Sequence, residues 1–428
     1  MTTLDLNESQ RKAFNSLINK KTGIFLIKGA AGTGKTFLAS EIIKFFMDND
    51  KTVMGLSPTH QAAAQLRKNL VGYLDKDIKI NTVASFLKVQ KKIDPITGKQ
   101  FFNEGENNIK TSYNLIIVDE ASMINEAQLR KIYLAARYSL VIVLGDYEQL
   151  KPVAGNTSES FFKPYQIYTL DKIERYDGNI LGYCNNLRNN ICYPTISNEI
   201  NIISGFNNTF NEVYNHIQNN SNPDSIGYLA FTNNEVKKMR NALQIELYGN
   251  YDFNIGQYIR LETPTEHSFN GDLNIITDVN HKQILLFDNM IFNAYDLVIQ
   301  NIHTGISETI TTVNYDDRDF IEDALKSLYS LAEEKYNIYN SILDKKSYNF
   351  KVCKYDWVDV IQMVKTTFNL SLVTCPYSST IHKAQGRTIE NVYVNISDIM
   401  KYGRTMKKNL MYVAASRTSK KLTVVKDI

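Results

Sequence analysis

Short apolar runs alternate with amphipathic stretches over roughly the first third of the chain. Residues 24–27, 52–57, 115–118 and 140–144 read as strands, and the last two are apolar throughout, as central parallel strands are. Residues 37–46 place Leu38, Ile42, Phe45 and Phe46 on one helical face, and residues 61–70 read as a second helix. An earlier helix starts at Asn7, with Leu6 before the cap and Gln10 at its third position, a capping-box arrangement. Residues 88–104 read as a hairpin whose turn, 94–98, carries Pro95 and Gly98. In the second half, strands at 226–231, 371–374, 392–394 and 422–425 with helices between them predict a second α/β sheet. From residue 255 to about 312, Asn, Gly and Asp turns separate short strands, which predicts a small inserted β-barrel. Residues 319–344 then read as a helix with Phe320, Leu325, Leu328, Leu331 and Tyr339 at core spacing, and Trp357 reads as packing.

Candidate chemistry sits where these strands end. Gly29, Ala30, Ala31, Gly32, Thr33, Gly34, Lys35 and Thr36 fit the phosphate-binding G-x-x-x-x-G-K-[ST] loop, with a strand before and a helix after. The glycines let main-chain N–H groups close on phosphate oxygens at a helix N-terminus. Lys35 would reach the β- and γ-phosphates and Thr36 a Mg²⁺ ion. The strand at 115–118 delivers Asp119, a metal-ligand candidate, and Glu120, a carboxylate able to activate water. Residues 140–146 repeat the pattern up to Asp146, and Gln149 follows as a γ-phosphate or water contact. Gln10 has two readings, a capping partner or a planar amide for the adenine edge. His60, in the Pro58, Thr59, His60 turn, likewise reads as a helix cap or as a ligand contact at the sheet's C-terminal edge. Phe101 and Phe102 of the hairpin divide between an exposed face and a core.

The bulk numbers constrain less. A length of 428 residues suits several domains, and 43% hydrophobic with 22% charged residues is ordinary for a soluble protein. A formal charge of +3 neither announces nor excludes a nucleic-acid partner. The four cysteines form no C-x-x-C pair, so reduced thiols and a cytoplasmic setting are expected, with no export signal and no membrane span.

Taken together, the motifs resemble those of superfamily 1 helicases. The phosphate loop resembles motif I, residues 57–60 motif Ia, Asp119 to Met123 motif II, and Gly145 to Pro152 motif III. Residues 170–175 resemble motif IV and end in Arg175; residues 230–233 resemble the start of a second motor domain; residues 379–388 resemble motif V; and residues 410–418 resemble motif VI, with Arg417. The His382 to Gly386 form of motif V and the hairpin before motif II resemble the 5′→3′ RecD-like and Dda-like branch. That resemblance implies arginine fingers at Arg175 and Arg417, nucleotide contacts from Gln149 and Gly386, and a strand-separating pin near Phe101 and Phe102. It also implies a single-strand path along Pro58, Thr59, His60, Thr82, Phe86, Thr232, Asn233, Thr380 and His382. Ala84 departs from the pattern, where relatives carry His.

The expected fold is α/β, with two RecA-like P-loop motor domains, a β-hairpin insertion in the first, and an SH3-like β-barrel with helices in the second. Expected limits are 1–165 with the hairpin at 88–112, then 166–254 with 358–428, and 255–357 for the accessory domain. The expected activity is that of a monomeric ATP- and Mg²⁺-dependent 5′→3′ DNA helicase acting on single strands and single/double-strand junctions. A single-stranded-DNA-binding protein or replisome component is the protein partner that implies. The alternative is a DNA-stimulated translocase or remodeller that needs a partner to unwind.

Overall fold

The computed structural model describes residues 6–426 apart from 31, 60–61, 64–65, 68–77, 104–110, 148–155, 173–177, 189–194, 221, 264, 266, 269–270, 286–290, 369 and 402. Two compact units emerge, one of residues 1–88, 106–246 and 376–428, the other of 89–105 and 247–375.

The first unit holds two parallel sheets. Six strands lie in the order Lys79–Thr82, Val53–Ser57, Leu115–Val118, Leu140–Gly145, Gly23–Gly29 and Ile167–Leu170. All their pairings are parallel. Every residue of Leu115–Val118 and Leu140–Gly145 is buried, because helices must cover both faces of such a sheet. Leu17, Leu38, Ile42, Ile117 and Ile142 share its core. A domain limit at residue 165 is too early, since Ile167–Leu170 pairs with the phosphate-loop strand.

The second sheet runs Ser378–Thr380, Ile226–Ala230, Ile389–Asn395, Thr418–Lys426 and Ile200–Ser204, again parallel. Residues 371–374 do not join it, contrary to expectation. Only Val373–Thr374 forms a strand, and it pairs antiparallel with Arg260 and Leu261 in the other unit. An apolar run signals a strand but not the sheet it enters. The strand that does join consists of three hydroxyl residues and carries no apolar signal.

The second unit is built on an antiparallel sheet ordered Ser307–Val313, Ile291–Asn301, Leu273–Leu285, Tyr258–Leu261 and Val373–Thr374. Its long strands have 13 and 11 residues, not the short ones expected. The two edges approach at a hydrogen bond from the Ser371 N–H to the Thr311 carbonyl, 2.7 Å. Among the described residues no continuous ladder joins those two edges beyond this one bond. Helices Arg318–Ser341 and Tyr348–Phe368 add a core of Leu328, Val360 and Val364 against Ala294 and Val313. Leu325 and Leu331 pack there as the stripe predicts, while Phe320 stays exposed. Because Tyr348–Phe368 and Val373–Thr374 belong here, the accessory region runs past residue 357.

The hairpin pairs Gln90–Ile93 with Gln100–Asn103 and groups with this second unit, not the first. The Trp357 indole N–H donates to the Ile96 carbonyl at 2.8 Å, and its ring stacks on Tyr339. Gly98 has φ +71°, and a Cβ there would sit 3.0 Å from Val364.

Candidate functional site

The phosphate loop leaves strand Gly23–Gly29 and enters helix Lys35–Asp48. Gly32 and Gly34 have φ of +83° and +75°, which other residues adopt only with strain. Thr33, buried, closes the loop by donating its hydroxyl to the Ala30 carbonyl at 2.9 Å. The Lys35 ammonium donates to the carbonyls of Gly29 (2.9 Å) and Ala30 (2.8 Å). Thr36 is half-buried in the first helical turn. Ala31 lies outside the described residues.

Gln10 forms the capping box, its carbonyl accepting the Asn7 N–H at 3.0 Å. Its amide nitrogen donates to the Thr33 carbonyl at 3.1 Å. The residue is buried, so the side chain braces the phosphate loop from behind. That third role was not among the two weighed from the sequence.

Asp119 and Glu120 end strand Leu115–Val118 beside the loop. The Asp119 N–H donates to the Leu56 carbonyl (2.8 Å), and its carboxylate accepts the Glu120 N–H (2.8 Å). Glu120 has φ +50°, a left-handed conformation that costs a non-glycine residue ~1 kcal/mol or more. Burial, and then the charge of Glu120, push Asp119 up to about 7, against the opposing pull of the Glu120 N–H and the Lys35 ammonium. Two adjoining carboxylates so placed call for a cation. The two residues the sequence offers as ligands, Thr36 and Asp119, both carry hard oxygens. Among the described residues no cluster of three His, Cys, Asp or Glu exists. Hard oxygen donors suit Mg²⁺, which takes one or two carboxylates and completes its shell with water and substrate phosphates.

Asp146 ends strand Leu140–Gly145, is 2% exposed, and accepts the Tyr412 hydroxyl at 2.7 Å. Tyr412 lies on helix Arg404–Arg417, which ends in Arg417. Arg417 is buried, its guanidinium donating to the Val413 carbonyl (3.4 Å) and the Ser416 hydroxyl (3.3 Å). Gly386 has φ +86°, and a Cβ there would meet Ala62 at 3.8 Å. Gln149 and Arg175 lie outside the described residues.

The proposed strand contacts gather at the C-terminal edges of the two parallel sheets. Thr59 and Thr82 follow neighbouring strands, with Ser57 opposite Thr82. Each caps a helix: Thr59 accepts the Ala62 N–H, and Thr82 accepts the Ser85 N–H, both at 3.1 Å. Pro58 is half-buried and His60 lies outside the described residues. Phe86 is in the core at 8% exposure, which leaves no ring face for a base. On the second sheet Ala230 pairs with Thr380, which brings Thr232, Asn233, Thr380 and His382 to one edge. Thr380 is buried; the His382 and Phe231 ring centroids are 5.7 Å apart. Phe101 is 47% exposed on the hairpin, and the Phe102 side chain lies outside those described. Sequence reasoning missed Tyr412 and Asp398, whose only signal is a polar group inside an apolar helical run.

Comparison with known proteins agrees with this geometry. A family model for an AAA domain matches residues 5–189, and one for a UvrD-like helicase C-terminal domain matches residues 377–425. The chain is 24% identical to the ATP-dependent DNA helicase Dda of phage T4, over 97% of this chain and 98% of that protein. It is 23% identical to the ATP-dependent DNA helicase Pif1 of Campylobacter jejuni, over 92% and 86%. Among solved structures, one of two coordinating Pif1 helicases at forked dsDNA superposes with a TM-score of 0.52 at 16% identity, covering 98% of this chain and 92% of that one. A Bacteroides Pif1 helicase with ADP-AlF3 and ssDNA gives 0.50 at 15% identity, with the same coverage. With two parallel sheets, the phosphate loop and the paired carboxylates in place, the chain is similar over nearly its whole length to the Dda and Pif1 helicases and shares the fold of Pif1.

Proposed function

We propose that this protein is an ATP- and Mg²⁺-dependent DNA helicase that moves 5′→3′ on single-stranded DNA and unwinds the duplex ahead of it. The observation that carries the reading is Lys35 and the Asp119–Glu120 pair converging at the edge of one parallel sheet, with Arg417 held on a second. Lys35 would exchange its two loop carbonyls for phosphate oxygens, and the loop N–H groups would orient the chain of phosphates. Thr36 and Asp119 would hold Mg²⁺, which when bound supplies positive charge to the β- and γ-phosphate oxygens. Glu120 would take a proton from the attacking water. Arg417, with Arg175 and Gln149, would meet the charge that develops on the γ-phosphoryl group, a contribution of ~10³–10⁵ in rate. Contacts made differently in the ATP and ADP states drive stepping. DNA would be held through backbone and stacked bases, so binding tolerates sequence and weakens with salt.

Matched duplexes with a 5′ or a 3′ single-stranded tail test this reading, with and without ATP, beside Glu120→Gln. The expected outcome is unwinding of the 5′-tailed duplex alone, with turnover ~10²–10⁴ lower in Glu120→Gln while ATP still binds. Preference for the 3′ tail would overturn the polarity. DNA-stimulated hydrolysis without unwinding would favour the translocase that needs a partner.

A further inference from the structure

A buried carboxylate governs the edge of the second sheet where the strand contacts cluster. Asp398 lies on the short helix Ile396–Met400 and is 1% exposed. One of its oxygens accepts the main-chain N–H groups of Phe231 (2.9 Å) and Thr232 (2.7 Å), and the Thr232 hydroxyl lies 3.1 Å from both. Asn395 secures the helix from below, its carbonyl accepting the Asp398 N–H at 3.1 Å. Its amide nitrogen reaches the Tyr228 hydroxyl (3.1 Å) and Glu235 (3.3 Å). Lys401, 67% exposed, stands 3.8 Å from the same carboxylate. One acid therefore fixes the turn that starts helix Asn233–Tyr248 and supports the Phe231 ring beside His382.

This arrangement changes what Thr232 can do. A hydroxyl has one hydrogen to donate, and here it goes to the Asp398 carboxyl group. The same oxygen accepts the Glu235 N–H at 3.5 Å. Thr232 is thus turned inward, while Asn233, the next residue, is exposed.

We propose that Asp398 is a positioning residue for the nucleic-acid edge of the second motor sheet. It holds the Phe231–Thr232 turn so that Asn233, and not Thr232, presents the hydrogen-bonding group to the DNA backbone. The inference rests on the DNA-translocase reading above. Its magnitude is that of charge-assisted hydrogen bonds, each of which shifts an equilibrium about tenfold or more when lost.

The test measures ATP hydrolysis against the concentration of an oligothymidine single strand, separating the half-saturating DNA concentration from the maximal rate. Asp398→Asn and Asn233→Ala are each expected to raise the half-saturating concentration about tenfold. In Asp398→Asn the DNA-free rate and the rate at saturating DNA should stay within about twofold. The double variant should be no worse than the poorer single one, because both act through one contact. Thr232→Val, which keeps the main-chain bonds, is expected to show a smaller rise that Thr232→Ser reverses, and it serves as the probe if Asp398→Asn misfolds. Unchanged half-saturation in folded Asp398→Asn, or in Thr232→Val, would overturn the positioning role. Additive effects of Asp398→Asn and Asn233→Ala would overturn the link to Asn233. Absence of DNA stimulation in the unsubstituted protein would instead sink the translocase reading on which this rests.

Discussion

Residues that look interchangeable in composition are separated here by their surroundings. Cys184 is buried among Arg417, Arg188 and Asp146, and desolvation pushes its thiol up to about 12 from an ordinary value of 9.0. Arg417 pulls the other way, so the dominant effect is loss of water and not charge. A raised acid pKa means that the folded thiol keeps its proton. The stabilisation is complete below pH 9.0, the unfolded value, and is lost as pH rises towards about 12. At pH 8, Cys184 should therefore resist iodoacetamide in the native protein and label readily after unfolding. Cys353, which is half-buried, should label before Cys184. Peptide mass spectrometry over a time course gives the order, and early modification of Cys184 would show that the pocket opens on that time scale.

At the scale of elements, the clearest case is the hairpin. Its turn was legible because Asp94, Pro95 and Gly98 are turn residues: Asp94 accepts the N–H groups of Ile96 (2.8 Å) and Thr97 (3.1 Å). Its anchor was not legible, because Trp357 lies 261 positions away and local pattern carries no such pairing. The same limit explains residues 371–374, whose apolar character predicted a strand but not a place in the antiparallel sheet. The motor strands were legible because burial on both faces leaves a continuous apolar run. The loop and acid motifs were legible because phosphate chemistry admits few residue types. Helix-capping threonines, and a buried acid such as Asp398, look like ordinary polar residues until the turn they satisfy is known. If the hairpin acts as the strand-separating pin, Trp357→Phe should keep an aromatic ring beside Tyr339 while losing the 2.8 Å bond and part of the packing. Unwinding is then expected to fall about fivefold, the weight of ~1 kcal/mol of hairpin order, with single-strand-stimulated hydrolysis unchanged. Equal unwinding by the variant would show that the bond does not set the pin.

Across the molecule the two motor sheets keep separate cores, one around Leu38, Ile42 and Ile142, the other around Leu229, Val392 and Val424. Tyr412 belongs to the second core, yet its hydroxyl reaches Asp146 at the end of a strand of the first sheet. Both residues are buried, so water neither screens the bond nor replaces it easily. Tyr412→Phe removes the hydroxyl and keeps the ring in place. Its loss should cost ~1–3 kcal/mol, the range for a buried group deprived of a hydrogen-bond partner. The more telling expectation concerns cooperativity. The phosphate loop lies in the first sheet, so a bound ATP analogue stabilises that sheet directly and the second only through what connects them. In the unsubstituted protein, hydrogen exchange in helix Arg404–Arg417 should slow when the analogue binds. In Tyr412→Phe, protection should still rise around Lys35 but much less in that helix, and the urea transition should broaden as the sheets unfold separately. Equal protection of the helix in both proteins would assign the coupling to other contacts and leave this bond a local one.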